Sequence, residues 1–403
     1  MMNIKEIVKG SRYLRPAASR GLEVGYWAKD LVSYDRKLLG FLETDLEEVS
    51  CDGYRHTWCG YYDVVPFRPG KPNELLVHSN GLSDSRTPNV KYETTINLFD
   101  REHCTFSTLG STRAWNWQQG SRLQWIDEDR YIMNKYDGTL FGVIVDADTR
   151  EEAPLPCSVN IAFRNEYCLT LDYFRLTEVT EYGYPGLDEA ESKPAIRRIE
   201  FDDCSVVDLV AYTDIAKACE AAKNATGFHV NHLLPNPTGE RFVFLARYWL
   251  GGSRQDSLFC YEFDTGALST LFLNQTVSHY AWLTEENILV WGVIDGLRGY
   301  FEVNIPTGQS RRVLDISDGH PFALDQNRFV SDIQEDWRDG ILTLARFDLA
   351  KGARDELVSM SHPHLLRKTN RCDMHVSLSQ DGTLFQIDSR HKGPRVALVG
   401  KLP

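Results

Sequence analysis

The chain has 403 residues, 42% apolar and 25% charged, an ordinary water-soluble balance. A net charge of −13 argues against a general nucleic-acid or anionic-membrane binder. No run of about 18 apolar residues announces a transmembrane helix, and nine cysteines without a C-x-x-C pair predict reduced thiols in a cytoplasmic protein.

In chain order, the N-terminal stretch "MMNIKEIVKGSRYLRPAASRG" carries basic residues but no continuous apolar segment, so no secretory signal is expected. A short N-terminal helix is possible there, and "LLGFLETD" (38–45) reads as a strand. From there the chain falls into units of two strand-like runs divided by a polar turn. They start near His56, Trp115, Ser158, His229–His232, His279, His320 and His375. The last two intervals are 41 and 55 residues. A period of about 40–50 residues with several short strands per unit reads as an all-β, seven-bladed β-propeller. Six or eight blades are the alternatives. Residues 1–403 form one domain in this reading, with 1–50 as an extension. Its strand at 38–45 would complete the last blade and close the ring. The third unit carries a long insertion at 177–197, and "TDIAKACEAAKN" (213–224) is the one convincing helix.

In a propeller the innermost strands run along one channel, so equivalent positions of different blades meet at its mouth. His229 or His232, His279, His320 and His375 hold that position. The loops after the second strands open on the same face and bring Arg247, Arg254 and Arg390. Each histidine taken singly is also explained as a cap on its own strand. Together they make a polar concavity.

Two stretches stand out. Asp373 and His375 are two apart and share one side of an extended strand. With His320 they form an N/N/O set suited to Mn, Zn or Fe, and Asn370 adds an oxygen. "WNWQQGSRLQW" combines Trp115, Trp117, Gln118, Gln119 and Arg122, which is either a sugar-binding wall or blade packing. The sequence contains no P-loop, no dinucleotide fingerprint, no H-E-x-x-H and no G-x-S-x-G, so no nucleotide or organic cofactor is expected.

The histidine-led blades turned by "NPTGE" and "SQDGT", and the terminal "DMHVSLSQDGT", resemble the oligogalacturonate lyase family of seven-bladed propellers. The likeness lies mainly in residues 229–390. It implies β-elimination on an acidic, uronate-containing oligosaccharide, with a divalent metal, typically manganese, at the channel mouth. Carried over by position, His320 and His375 match metal ligands, and His279 and Arg254 match the base and its arginine. The family's other histidine is Asp373 here and its glutamine is Asn370. The chemistry requires a metal or an arginine, Arg247 or Arg254, to neutralise the uronate carboxylate, because the α-proton is otherwise too weakly acidic. His232 joins this catalytic group from the fourth unit. The competing readings are a non-catalytic glycan- or protein-binding propeller, and a glycoside hydrolase using acids such as Asp332 and Glu335. The oligomeric state is left open.

Overall fold

The inner hairpin of most blades is pinned by one polar side chain at its turn. Asp127 Oδ1 accepts from the backbone of Asp129 and Arg130, and Asn236 Oδ1 from that of Glu240 and Arg241. Thr284, Asp325 and Asp381 do the same in later blades. These side chains mimic a backbone turn, so the strands they join meet in antiparallel register. The computed structural model describes residues 38–41, 46–83, 86–177, 179, 181–187, 194–219, 226–335, 340–362 and 371–403.

Seven antiparallel blades of four core strands follow, with a fifth strand added in blades 1 and 6. Their innermost strands are His56–Trp58, Gln124–Trp125, Ile161–Phe163, Thr226–Pro235, the second half of Leu268–Trp282, Pro321–Ala323 and Ser377–Leu378. Blades 4 and 5 share the strand Leu268–Trp282. Its first half pairs with Ser253–Glu262 and its second half with Asn287–Ile294. The architecture is the all-β, seven-bladed propeller expected.

The N-terminal closing strand sits later than the sequence suggested. Glu47–Val49 pairs with Ala397–Val399 and supplies the fourth strand of blade 7. Leu38–Phe41 instead adds to the outer strand of blade 6, against Val358–Met360. Blades 7 and 1 share a core in which Val49, Ala397 and Val399 pack with Cys59, Leu75 and Val77. Across the same seam Thr57 N donates to Arg395 O, and Arg395 N donates to His56 Nδ1.

The second and third blades begin their inner strands several residues after Trp115 and Ser158. The insertion lies between the second and third strands of blade 3, as read, and opens with a 3-10 turn at Tyr173–Leu176. The helix is Tyr212–Ala218; the remainder of its predicted span from 220, and the suggested N-terminal helix, lie outside the described residues. All nine cysteines are free thiols. Among the described residues no helix is long and apolar enough to cross a membrane.

Candidate metal and acid–base site at the channel mouth

Blade 6 delivers His320 through a tight approach. A Cβ on the preceding Gly319 would stand 1.7 Å from Asp332 O, so only glycine lets the chain pass. That approach brings His320 onto the Asp332 carboxylate, with Nδ1 2.8 Å from Oδ1. The other oxygen, Oδ2, accepts from Met374 N at 3.0 Å and His375 N at 3.2 Å. One buried acid therefore fixes two blade starts at once. Because a carboxylate can only accept, the proton of His320 sits on Nδ1 and its Nε2 points away as a potential ligand.

His375 is held in the same sense. Its Nδ1 donates to Gly60 O at 3.0 Å, and its Nε2 is buried without a hydrogen-bond partner. Asp373 Oδ2 lies 3.9 Å from that nitrogen. Arg371 Nε is 2.8 Å from the same oxygen, in an ion pair lying off a hydrogen-bond axis. Ligand atoms of His320, Asp373 and His375 all come within 4.8 Å of one another. The donor set fits a small divalent cation: two imidazoles with bound second nitrogens, one carboxylate, and buried donor atoms left without hydrogen bonds. Asn370, the fourth ligand expected, lies outside the described residues.

The electrostatics agree. Burial pulls His320 down, but the Asp332 carboxylate and the hydrogen bond to it raise it above the ordinary histidine value. Burial and the charge of His320 push His375 down to about 3, which keeps it neutral. Burial would raise Asp373, but Arg371 and the neighbouring imidazoles hold it well below the usual carboxylate range. The cluster thus favours positive charge at His320, as a proton on Nε2 or a cation in its place, and keeps His375 and Asp373 deprotonated.

His279 follows on blade 5, its ring centroid 4.0 Å from that of His320. Its Nδ1 is 3.0 Å from Asp318 Oδ1 and 3.0 Å from Ser278 Oγ. Burial and the charge of His320 lower its pKa, so the ring is neutral with Nε2 free to accept a proton. His232, 5.7 Å from His279 by ring centroids, is buried with Nε2 3.4 Å from Tyr61 Oη. Burial, His279 and Arg247 drive its pKa well down.

Arg247 is buried, and its Nε donates to Asp256 Oδ1 at 2.7 Å. Arg254 reaches the other oxygen of Asp256 at 3.1 Å, but 42% of its side chain is exposed. Arg390 is buried with Nε donating to Gly393 O.

The tryptophan stretch is buried from Trp115 to Gln124. Trp115 and Trp117 are buried against Trp58, and their indole N–H groups donate to Tyr92 O and Arg86 O. Gln118 and Gln119 are buried as well. Arg122 is fully buried in a bidentate pair with Asp63 and donates Nε to Asn160 O. Gln118 Nε2 donates to Arg371 O, two residues before Asp373 in the chain.

Three contributors escaped the sequence reading. Tyr61 and Tyr62 belong to a segment of blade 1 that leaves the strand and enters the channel. Tyr61 lies 4.6 Å from His375, and Tyr62 5.2 Å from His320, by ring centroids. Tyr182 of the insertion reaches His232 at 5.0 Å. The only sequence signal for the pair is a run, "CGYYDVVPF", longer than one inner strand needs.

No protein-family model and no curated protein matches the chain. Among solved structures, an oligogalacturonate lyase in complex with manganese superposes with TM-score 0.63 at 14% identity, covering 91% of this chain and 98% of that one. Oligogalacturonate lyase from Vibrio parahaemolyticus gives 0.57 at 12%, covering 90% and 98%. The tricorn protease gives 0.50 at 8%, with 87% of this chain on 34% of that one. The likeness therefore extends in the fold well beyond the C-terminal half.

Proposed function

We propose that the chain is a carbohydrate lyase that cleaves a uronate-containing oligosaccharide by β-elimination. The carrying observation is the convergence of His320, Asp373 and His375 within 4.8 Å, beside a neutral histidine already paired to a carboxylate. In this reading His320, Asp373 and His375 hold a divalent cation, which would supply Lewis-acid charge to the substrate carboxylate. Arg254, the more exposed of the two arginines, neutralises the carboxylate from the blade 4 side; Arg247 is already neutralised by Asp256 and positions it. His279 Nε2 removes the proton α to the carboxylate, with Asp318 keeping Nδ1 protonated. The electron pair left behind forms the carbon–carbon double bond and expels the glycosidic oxygen, which takes a proton from water. His232 and Tyr61 exclude water from the far side of the base. The protein works as a single propeller domain on an acidic sugar chain in the cytoplasm.

A glycoside hydrolase needs two available carboxylates. Asp332 is occupied by His320 and by the backbone amides of His320, Met374 and His375, and Glu335 is paired to Arg354, which favours the lyase over the hydrolase reading. The test is incubation with uronate oligosaccharides and manganese, following ultraviolet absorbance of the unsaturated product. Absorbance should rise, and His279→Ala should slow it by about 10²-fold or more. New reducing ends without absorbance, or an indifferent His279→Ala, would sink the lyase reading.

A further inference from the structure

Asp388 belongs to the second strand of blade 7, Leu384–Ser389, and is 3% exposed. It touches none of the groups assigned chemistry above. Both its oxygens are nevertheless committed. Oδ1 accepts from Cys59 N at 2.9 Å and from Gln386 Nε2 at 2.9 Å; Oδ2 accepts from Gly60 N at 3.1 Å. Its own backbone N donates to Met374 O at 2.7 Å. Cys59 and Gly60 lie on blade 1, more than 300 residues earlier, so this carboxylate bridges the ring seam.

The Gly60 peptide that it grips has a second task. Its carbonyl accepts the Nδ1 proton of His375. Gly60 has φ +132, a conformation that side chains disfavour, so the orientation of this peptide plane needs an outside hold. Two N–H donors converging on one carboxylate supply it. The chain of contacts is continuous: carboxylate, Gly60 N–H, Gly60 C=O, His375 Nδ1–H. Its far end is His375 Nε2, freed as an acceptor.

We propose that Asp388 is a positioning residue for the candidate ligand His375, selecting its Nδ1–H tautomer through the Gly60 peptide. The assignment deepens the proposed function, but its test does not depend on turnover. Asparagine at 388 keeps the shape yet turns an amide N–H₂ toward a backbone N–H, so one of the two peptide donors loses its acceptor. Nitrogen NMR of histidine-labelled, metal-free protein reads the tautomer directly, with His375 assigned by the signal lost in His375→Gln.

In the wild type His375 should show a protonated Nδ1 and a bare Nε2. In Asp388→Asn the signal should move toward tautomer exchange, and manganese affinity should fall about 10–100-fold. Val399→Ala, in the same seam core but away from the carboxylate, should lower stability and leave the tautomer alone. Gln386→Leu removes one donor to Asp388 and should shift the signal partially, which keeps the test available if Asp388→Asn does not fold. An unchanged His375 signal in Asp388→Asn, or an equal shift in Val399→Ala, would overturn the assignment. A correct tautomer shift in a protein without lyase activity would overturn the proposed function and leave the role of Asp388 standing.

Discussion

Two groups of ring side chains lie at the inner ends of neighbouring blades, and they meet opposite fates. Around blades 1 and 2, Trp58, Trp115, Trp117 and His78 stack on one another with every face covered. Around blades 4 to 7, His232, His279, His320 and His375 also touch ring to ring, and each group keeps two buried nitrogens without a partner, Trp58 Nε1 and His78 Nδ1 in the first, His232 Nδ1 and His375 Nε2 in the second. Burial is similar in the two groups. What separates them is the company of carboxylates: Asp318 holds His279, Asp332 holds His320, and Asp373 stands beside His375. A packed ring without an acid beside it contributes burial, whereas imidazoles fixed next to carboxylates are prepared to take a cation or a proton.

The sharpest way to break this contrast is to cut into the tryptophan group. Trp115→Ala should cost about 3–5 kcal/mol of stability by chemical denaturation, while manganese affinity of the folded fraction is retained. An affinity collapse without a stability loss would put the indole in the site instead.

The second probe is acid. His78 accepts Ser121 N at Nε2 and is buried, which pushes its pKa down to about 4 from an ordinary 6.5. A group whose folded value is depressed contributes stability that is complete above pH 6.5 and is lost as pH falls from there through about 4. The loss is on the order of 3 kcal/mol. His78→Gln should flatten that part of the stability–pH curve, measured by urea midpoints; an unchanged slope would mean that His78 is not the titrating group.

The smallest change is Asp332→Asn, which sharpens the histidine side. It preserves volume but removes the charge that orients His320 and the backbone of Met374 and His375. Manganese affinity should fall about 10–100-fold by calorimetry, with little change in fold by circular dichroism. Full affinity in this variant would show that Asp332 only staples the backbone.

Much of the histidine group was legible because a closed repeat converts sequence position into place. His279, His320 and His375 stand at one phase of the unit, so ring closure brings them together without any local motif. Asp373 and His375 were expected together on an extended strand, but residues 371–376 form no strand and His375 stands at φ +48, so the loop ahead of Ser377–Leu378 brings them together instead. Tyr61 and Tyr62 were not legible, because their segment departs from the strand into the channel, and nothing in a repeat forecasts a departure. The work of Asp332, Asp318 and Asp388 was hidden for another reason. Each looks like a common acid near a strand end; Asp388 reaches Cys59 and Gly60 only when blades dock, and Asp332, which meets His320 within its own blade, gains the Met374 and His375 amides the same way. The closing strand was misplaced by several residues because Glu47–Val49 is three residues long, too short for a periodic signal. The tryptophan stretch read equally well as wall or core, since aromatic content does not tell which side of a blade is covered.

The unbroken strand Leu268–Trp282 has a mechanical consequence. His279 sits on its far half, while its near half lies beside the strand carrying Arg254 and Asp256. The candidate base thus sits on the continuation of the strand that is hydrogen-bonded to the one carrying the candidate clamp, with no seam between blades 4 and 5 to slide. A change in the relative tilt of these two blades has to bend the shared strand, so the imidazole and the guanidinium move together more than they would across an ordinary blade boundary.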